Sequence, residues 1–266
     1  MEMIAASKMR RAQERVLAGR PYAEKLLSVL GNLSGQSDEV EDLHPLLEKR
    51  DVRNIRILHV TPDRGLTGGL NSNLNRRASQ FVLEEEHPVS AVTVGKKGRD
   101  FLVRYGQDVT ASFTDMGDKF TVADIQPMTR LISDAYTAEQ VDRVYLIYAE
   151  FVSMTVQRPV VRQLLPIEPA VAVEGAEVSR AGYIYEPDPA GVLRQLLPRF
   201  VDVQVYQALL EATASEHASR MVAMRNATDS ANEMIQDLTL EMNKVRQATI
   251  TAELLDLTGG VVALET

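Results

Sequence analysis

From Arg199 to Thr258 the chain runs 60 residues without a proline or a glycine, although its 266 residues hold 11 prolines and 15 glycines. A stretch free of both helix breakers predicts one long helix. Within it Met221, Met224, Thr228, Ala231, Ile235, Leu238, Met242, Val245, Thr249 and Ala252 alternate steps of three and four. That seven-residue repeat becomes a straight stripe on an α-helix, the mark of a coiled-coil seam. At ~1.5 Å per residue the helix would rise about 90 Å, against a few tens of ångströms for a domain of this size, so part of it is expected to protrude.

The opening residues carry a matching stripe at Ala5, Met9, Ala12, Val16, Gly19, Ala23, Leu26, Leu30 and Leu33. The two stripes can pair between chains or within one. An antiparallel intramolecular pair satisfies both with a single chain and is the expected arrangement. Proline removes a backbone donor and crowds the preceding turn, so Gly19 and Pro21 predict a bend near Arg20. Thr and Ala at several seam positions make the inner stripe thin. A two-helix projection built this way needs a surrounding partner or stays partly solvated.

Between the ends the period changes. IRILHV at 55–60, VSAVTV at 89–94, VTASF at 109–113 and RVYLIYAEF at 143–151 read as strands, and VVRQLLP at 160–166 as an added edge strand. Helical spacing fills 71–86 and 121–138, so strand and helix alternate and an open, mainly parallel, Rossmann-like α/β sheet follows. Residues 175–191, rich in turn formers, read as a loop leading to the long helix. The expected organisation is a coiled-coil helix over 1–50, an α/β domain over 51–198 and a second coiled-coil helix over 199–266.

Candidate chemistry is sparse. The glycine-rich TPDRGLTGGLNSN at 61–73 joins the first strand to a helix, where backbone donors could meet a phosphate. Gly65, Gly68 and Gly69 do not follow G-x-G-x-x-G, and G-x-x-x-x-G-K-[ST] occurs nowhere, so a tight structural turn is preferred to a nucleotide site. Histidines 44, 59, 87 and 217 lack ligand spacing, and Glu85 and Glu86 read as a solvated helix face. No cysteine is present, so thiolate chemistry is excluded. A formal charge of −8 argues against a nucleic-acid partner. The apolar runs fall short of the ~20 residues of a membrane span. No cofactor or metal is expected. Methionines 1, 3, 9, 221, 224, 234 and 242 crowd the terminal helices, where they fill a core or furnish a surface that repacks. Lys8, Arg10, Arg11 and Arg15 form a basic stretch that is either a solvated face or a track for partner carboxylates.

Several segments resemble the gamma subunits of rotary proton-translocating ATP synthases. MEMIAASKMRRAQ at 1–13 and RPYAEKL at 20–26 are similar to the family's early helix, and SEHASRMVAMRNATDSANEMI at 215–235 and RQATITAELLDLTGG at 246–260 to its two C-terminal signatures. DRGLTGGLN and YIYEPDP at 183–189 fall between them in the expected order. The resemblance spans nearly the whole chain. Against it the N-terminus is about two dozen residues short, and Gly260, Val261 and Val262 replace a small, alanine-rich end.

The resemblance implies a non-catalytic rotor shaft that couples turning of a ring of c subunits to ATP synthesis or hydrolysis in an alternating alpha/beta hexamer. An α/β foot would sit with the epsilon subunit on the ring, peripheral to the cytoplasmic face of a bacterial membrane. Lys8, Met9, Arg10 and Arg11 would meet the acidic lever of a beta subunit. Arg220, Gln247, Thr251 and Glu253 would contact the hexamer, and Tyr183, Tyr185 and Glu186 the c ring. An α/β nucleotide-dependent enzyme with coiled-coil extensions and a homo-oligomeric coiled-coil scaffold are the alternatives.

Overall fold

The computed structural model describes residues 1–34, 44–168 and 189–264. Two compact units divide the chain, Met1–Val222 and Ala223–Thr266. In chain order the elements are α1 (Glu2–Ser34), β1 (Ile55–Val60), α2 (Leu70–Glu84), β2 (Val89–Val94), α3 (Lys96–Arg104), β3 (Asp108–Phe113), α4 (Val122–Thr137), β4 (Arg143–Phe151), β5 (Gln157–Leu165) and α5 (Pro189–Leu264).

The sheet has the order β3-β2-β1-β4-β5. β1 pairs in parallel with β2 and β4, and β2 with β3, while β5 returns antiparallel along β4. Alternation along β1 divides the core. Ile55 and Ile57 join Ala78 and Phe81 of α2, Leu102 of α3 and Ile147 of β4 on one face. Leu58 and Val60 join Ile125, Met128 and Ile132 of α4, Val16 of α1 and Leu197, Val201 and Val205 of α5 on the other. β1 is buried at every position, as a central strand covered on both faces must be. Pro159 lies in β5 opposite Ala149, at the sheet edge, where a missing donor is tolerated.

The expected strands agree with the structure to within a few residues. Two helical features depart from expectation. α3 was not anticipated: KKGRDFLVR buries only Gly98 and Leu102, too few apolar positions to show a period. α5 begins ten residues before Arg199 and carries Pro198 inside it. A helix-interior proline costs ~3 kcal/mol, and here Leu193, Leu197, Val201 and Val205, spaced by four and all buried, hold both sides of it against the core. Residues 189–191, expected in the loop, are helical. α1 is helical through Gly19 and Pro21.

α1 and α5 pair antiparallel within the first unit. Lys8 and His217 both meet Asp118, whereas a Cβ on Gly19 would lie 3.0 Å from Gln207 Oε1, so α5 descends as α1 advances. Ala5, Met9, Ala12, Val16 and Leu26 are buried, as the first stripe predicts. Ala12, Val16 and Leu26 share a cluster with α5 residues other than the second stripe, of which Met221 alone is buried among the described residues. Those α5 residues lie N-terminal to the stripe, between Leu193 and Ala214.

Candidate functional site

The glycine turn, the candidate for chemistry, joins β1 to α2. Thr61 follows β1, donates its N–H to Val94 O at 2.8 Å, and accepts from Gly98 N at 2.8 Å through Oγ1. α3 therefore lies tight on the end of β1. A Cβ at Gly95, whose φ is +87°, would stand 1.9 Å from Thr61 O, and one at Gly98 would stand 2.7 Å from His59 Cδ2. His59, wholly buried, is held by Asn75 Oδ1 at 2.9 Å, and burial pushes its pKa down to about 4 despite that bond.

Asp63 closes this end of the sheet. Its Oδ1 accepts from Lys96 N at 3.1 Å and its Oδ2 from Asp115 N at 3.0 Å, tying together the carboxyl ends of β1, β2 and β3. A nucleotide phosphate in a doubly wound sheet would use this crevice. Here it holds a carboxylate and a cavity of about 60 Å³, lined also by Leu209, Ala212 and Glu216 of α5. The turn's own carbonyls face α5. Ser219 Oγ donates to Thr67 O at 2.6 Å, and Arg220, paired with Glu216 at 2.7 Å, donates to Gly65 O at 3.4 Å. Of the three expected turn glycines only Gly68 has positive φ, +53°; Gly69 has φ −82° and a Cβ on Gly65 would meet nothing within 4 Å. Leu66 at φ +63° takes the other left-handed position of the turn.

A second cluster joins α1, the 116–119 loop and α5. Lys8 Nζ lies 2.6 Å from Asp118 Oδ2, and Arg15 donates to Asp118 O at 2.7 Å. His217 Nε2 lies 3.3 Å from Asp118 Oδ1, off the line a hydrogen bond needs, and neither ring nitrogen is bonded among the described residues. Burial lowers the His217 pKa, with Asp118 pulling the other way. Burial also opposes ionisation of Asp118, yet the Lys8 hydrogen bond and the charges of His217 and Lys8 prevail and hold its carboxyl below the usual range.

The four residues 8–11 are therefore not one exposed basic track. Met9 faces the core, Lys8 is committed to Asp118, and Arg10 and Arg11 stay at the surface, where Arg10 approaches Glu14 at 3.4 Å. Arg220 is largely buried against the glycine turn. Gln247, Thr251 and Glu253 are exposed, with Thr251 Oγ1 bonded to Gln247 O at 2.9 Å. Tyr183, Tyr185 and Glu186 lie outside the described residues. The second unit, taken by itself, is helix with its stripe bare: Ile235, Leu238, Met242 and Val245 are 58–61% exposed. Sequence reasoning missed Asp118, His217, Ser219, Gly95 and Gly98. Only the paired glycines of G-K-K-G carried a signal for close packing.

A family model described as ATP synthase matches residues 1–264. The chain belongs to the ATP synthase gamma family. It is 53% identical over 264 residues to the ATP synthase gamma chain of Dehalococcoides mccartyi strain CBDB1, covering 99% of this chain and 92% of that one. With the ATP synthase gamma chain of Roseiflexus sp. strain RS-1 identity is 50% over 268 residues, 99% and 91% of the two chains. Among solved structures it is similar to a chain of the Tetrahymena thermophila mitochondrial ATP synthase central stalk and c ring, with TM-score 0.65 and 25% identity, over 86% of this chain and 97% of that one. A chain of the Euglena gracilis mitochondrial ATP synthase, 18% identical with TM-score 0.59 over 97% and 95%, shares the fold. No helix of the described residues is long and apolar enough to cross a membrane.

Proposed function

We propose that this central-stalk subunit performs no chemistry itself and acts as the shaft that couples c-ring rotation to ATP synthesis or hydrolysis in a surrounding alpha/beta hexamer. The bare apolar stripe from Ile235 to Val245 carries the reading. A soluble helix leaves such a surface uncovered when another chain is to cover it. The catalytic hexamer is the partner assigned to the second unit, with Gln247, Thr251 and Glu253 as contacts, and the acidic lever of a beta subunit to Arg10 and Arg11. Epsilon and the c ring are assigned to the α/β domain, through the segment holding Tyr183, Tyr185 and Glu186, at the cytoplasmic face of the bacterial membrane. As the shaft turns, its asymmetric contacts differ at each of three sites, and differential contact free energy is what shifts their populations.

The Asp63 carboxylate supports the non-catalytic part, because it fills with negative charge the crevice in which this fold type would receive a phosphate. The purified chain is expected to hydrolyse no ATP and, added to alpha/beta hexamer, epsilon and the membrane sector, to restore proton-coupled turnover. Hydrolysis that persists after every trace of alpha and beta is removed would overturn the shaft reading.

A further inference from the structure

The cavity between α1, the 116–119 loop and α5 has a volume of about 360 Å³, within the range of small-ligand sites. Lys8, Arg11, Arg15 and Lys119 line it, together with His217, Asp118 and an apolar wall of Ala12, Met116 and Leu210. Four fixed positive charges thus face one carboxylate, in a chain whose net charge is −8. That carboxylate is already paired with Lys8, and His217 Nε2 stands 3.3 Å from it outside hydrogen-bond geometry. His217 is 2% exposed, yet neither of its ring nitrogens finds a hydrogen bond among the described residues. Buried polar atoms in native structures are nearly always satisfied, so an unsatisfied imidazole on the wall of a cationic cavity marks a place for an acceptor.

We propose that this cavity binds a phosphate-class oxyanion, held by Arg11, Arg15, Lys8 and Lys119 with His217 donating from the cavity wall. Guanidinium groups match tetrahedral oxyanions through paired N–H donors, and a lysine adds a mobile point charge. Lys8 and Arg15 are anchored on Asp118 and its carbonyl, which preorganises two of the four cations. The anion would add a polar bridge from α1 to the loop and α5 beside that of Asp118. The site lies wholly within Met1–Val222 and stands independently of the shaft reading.

The test is a titration of the full chain, carrying 13C-labelled histidine, with inorganic phosphate, sulfate or ADP at constant ionic strength set by sodium chloride. His217→Gln assigns the resonance, and His59, buried on the opposite face of the sheet, serves as the internal control for fold. Phosphate and sulfate are expected to move the His217 signal saturably and leave that of His59 in place. Tighter binding of ADP would name a nucleotide phosphate as the source, and no ADP binding would name the free ion. The double variant Arg11→Gln, Lys119→Gln is expected to weaken phosphate at least about tenfold, since each hydrogen bond to a charged group contributes on that scale. A His217 shift reproduced by sodium chloride alone, or unchanged phosphate binding in a folded double variant, would overturn the proposal. The wild-type comparison with chloride decides the matter even where the variant does not fold.

Discussion

At the scale of single residues the demanding glycines are those that bring α3 onto β1. Alanine at Gly95 would meet Thr61 O at 1.9 Å on a backbone of φ +87°, and at Gly98 it would press into His59 and Thr61. Strained φ and overpacking each cost roughly 1–3 kcal/mol, so Gly95→Ala is expected to lose on the order of 2–5 kcal/mol. Gly98→Ala should lose about 1–3 kcal/mol. Gly65→Ala and Gly69→Ala are expected to shift stability by less than about 0.5 kcal/mol, since neither position needs a left-handed backbone and neither Cβ meets a close contact. Urea midpoints of the four variants check the ranking, and a Gly69→Ala loss equal to that of Gly95→Ala would refute it. The glycine turn was legible in sequence as a turn, but not which glycine it needs. Left-handed φ falls to Leu66 and Gly68, and the identity of the left-handed residue depends on Thr67 and Gly65 presenting carbonyls to Ser219 and Arg220, more than 150 positions away.

At the scale of elements, α1 shows how far periodicity reaches. Its stripe named Ala5, Met9, Ala12, Val16 and Leu26 as inward residues because an apolar face is a local property of the helix. Which segment covers that face is not local. To Ala12, Val16 and Leu26 α5 presents Leu193 to Ala214, upstream of the heptads after Met221, and Pro198, just before the run free of helix breakers, is absorbed into the helix by packing on both sides. α3 was invisible because it packs through a glycine. The basic residues of α1 divide in the same way. Arg10→Glu with Arg11→Glu is expected to leave the melting temperature unchanged, since exposed charges contribute little to stability, and to impair coupled turnover of the reconstituted complex, less so as salt is added. Lys8→Glu is expected to cost up to about 1 kcal/mol in the isolated chain, because it sets a carboxylate against Asp118 on a half-exposed pair. Equal melting shifts for the Lys8 and the Arg10/Arg11 variants would show that the two positions do not differ in role.

At the scale of the whole molecule the two compact units differ in what holds them. Met1–Val222 has a sheet covered on both faces. From Arg225 to Thr258 the second unit exposes nearly every side chain, among them Leu254, Leu255 and Leu257 at 58–68%. A helix without tertiary packing is only marginally stable in water, since most helical stability in proteins comes from a buried face. Amide exchange in the isolated chain is therefore expected to be fast beyond about Asn232 and slow near Tyr206, which packs on the core and edge-on against Phe120 at 5.6 Å. Assembly with the alpha/beta hexamer should slow exchange in the second unit by covering Ile235, Leu238, Met242 and Val245. Gln247 and Thr251, four apart, share a face, while Glu253 points elsewhere, so they can touch different subunits of a ring. Alanine at each is expected to lower coupled turnover without altering exchange in the α/β domain, because none of the three is buried. Among the described residues the Thr251 hydroxyl bonds back to Gln247 O within the helix, so its removal leaves no buried group unpaired there. Exchange beyond Asn232 as slow in the isolated chain as in the assembled complex would mean that the bare stripe is stable without a partner, and the physical ground for a shaft enclosed by other subunits would be gone.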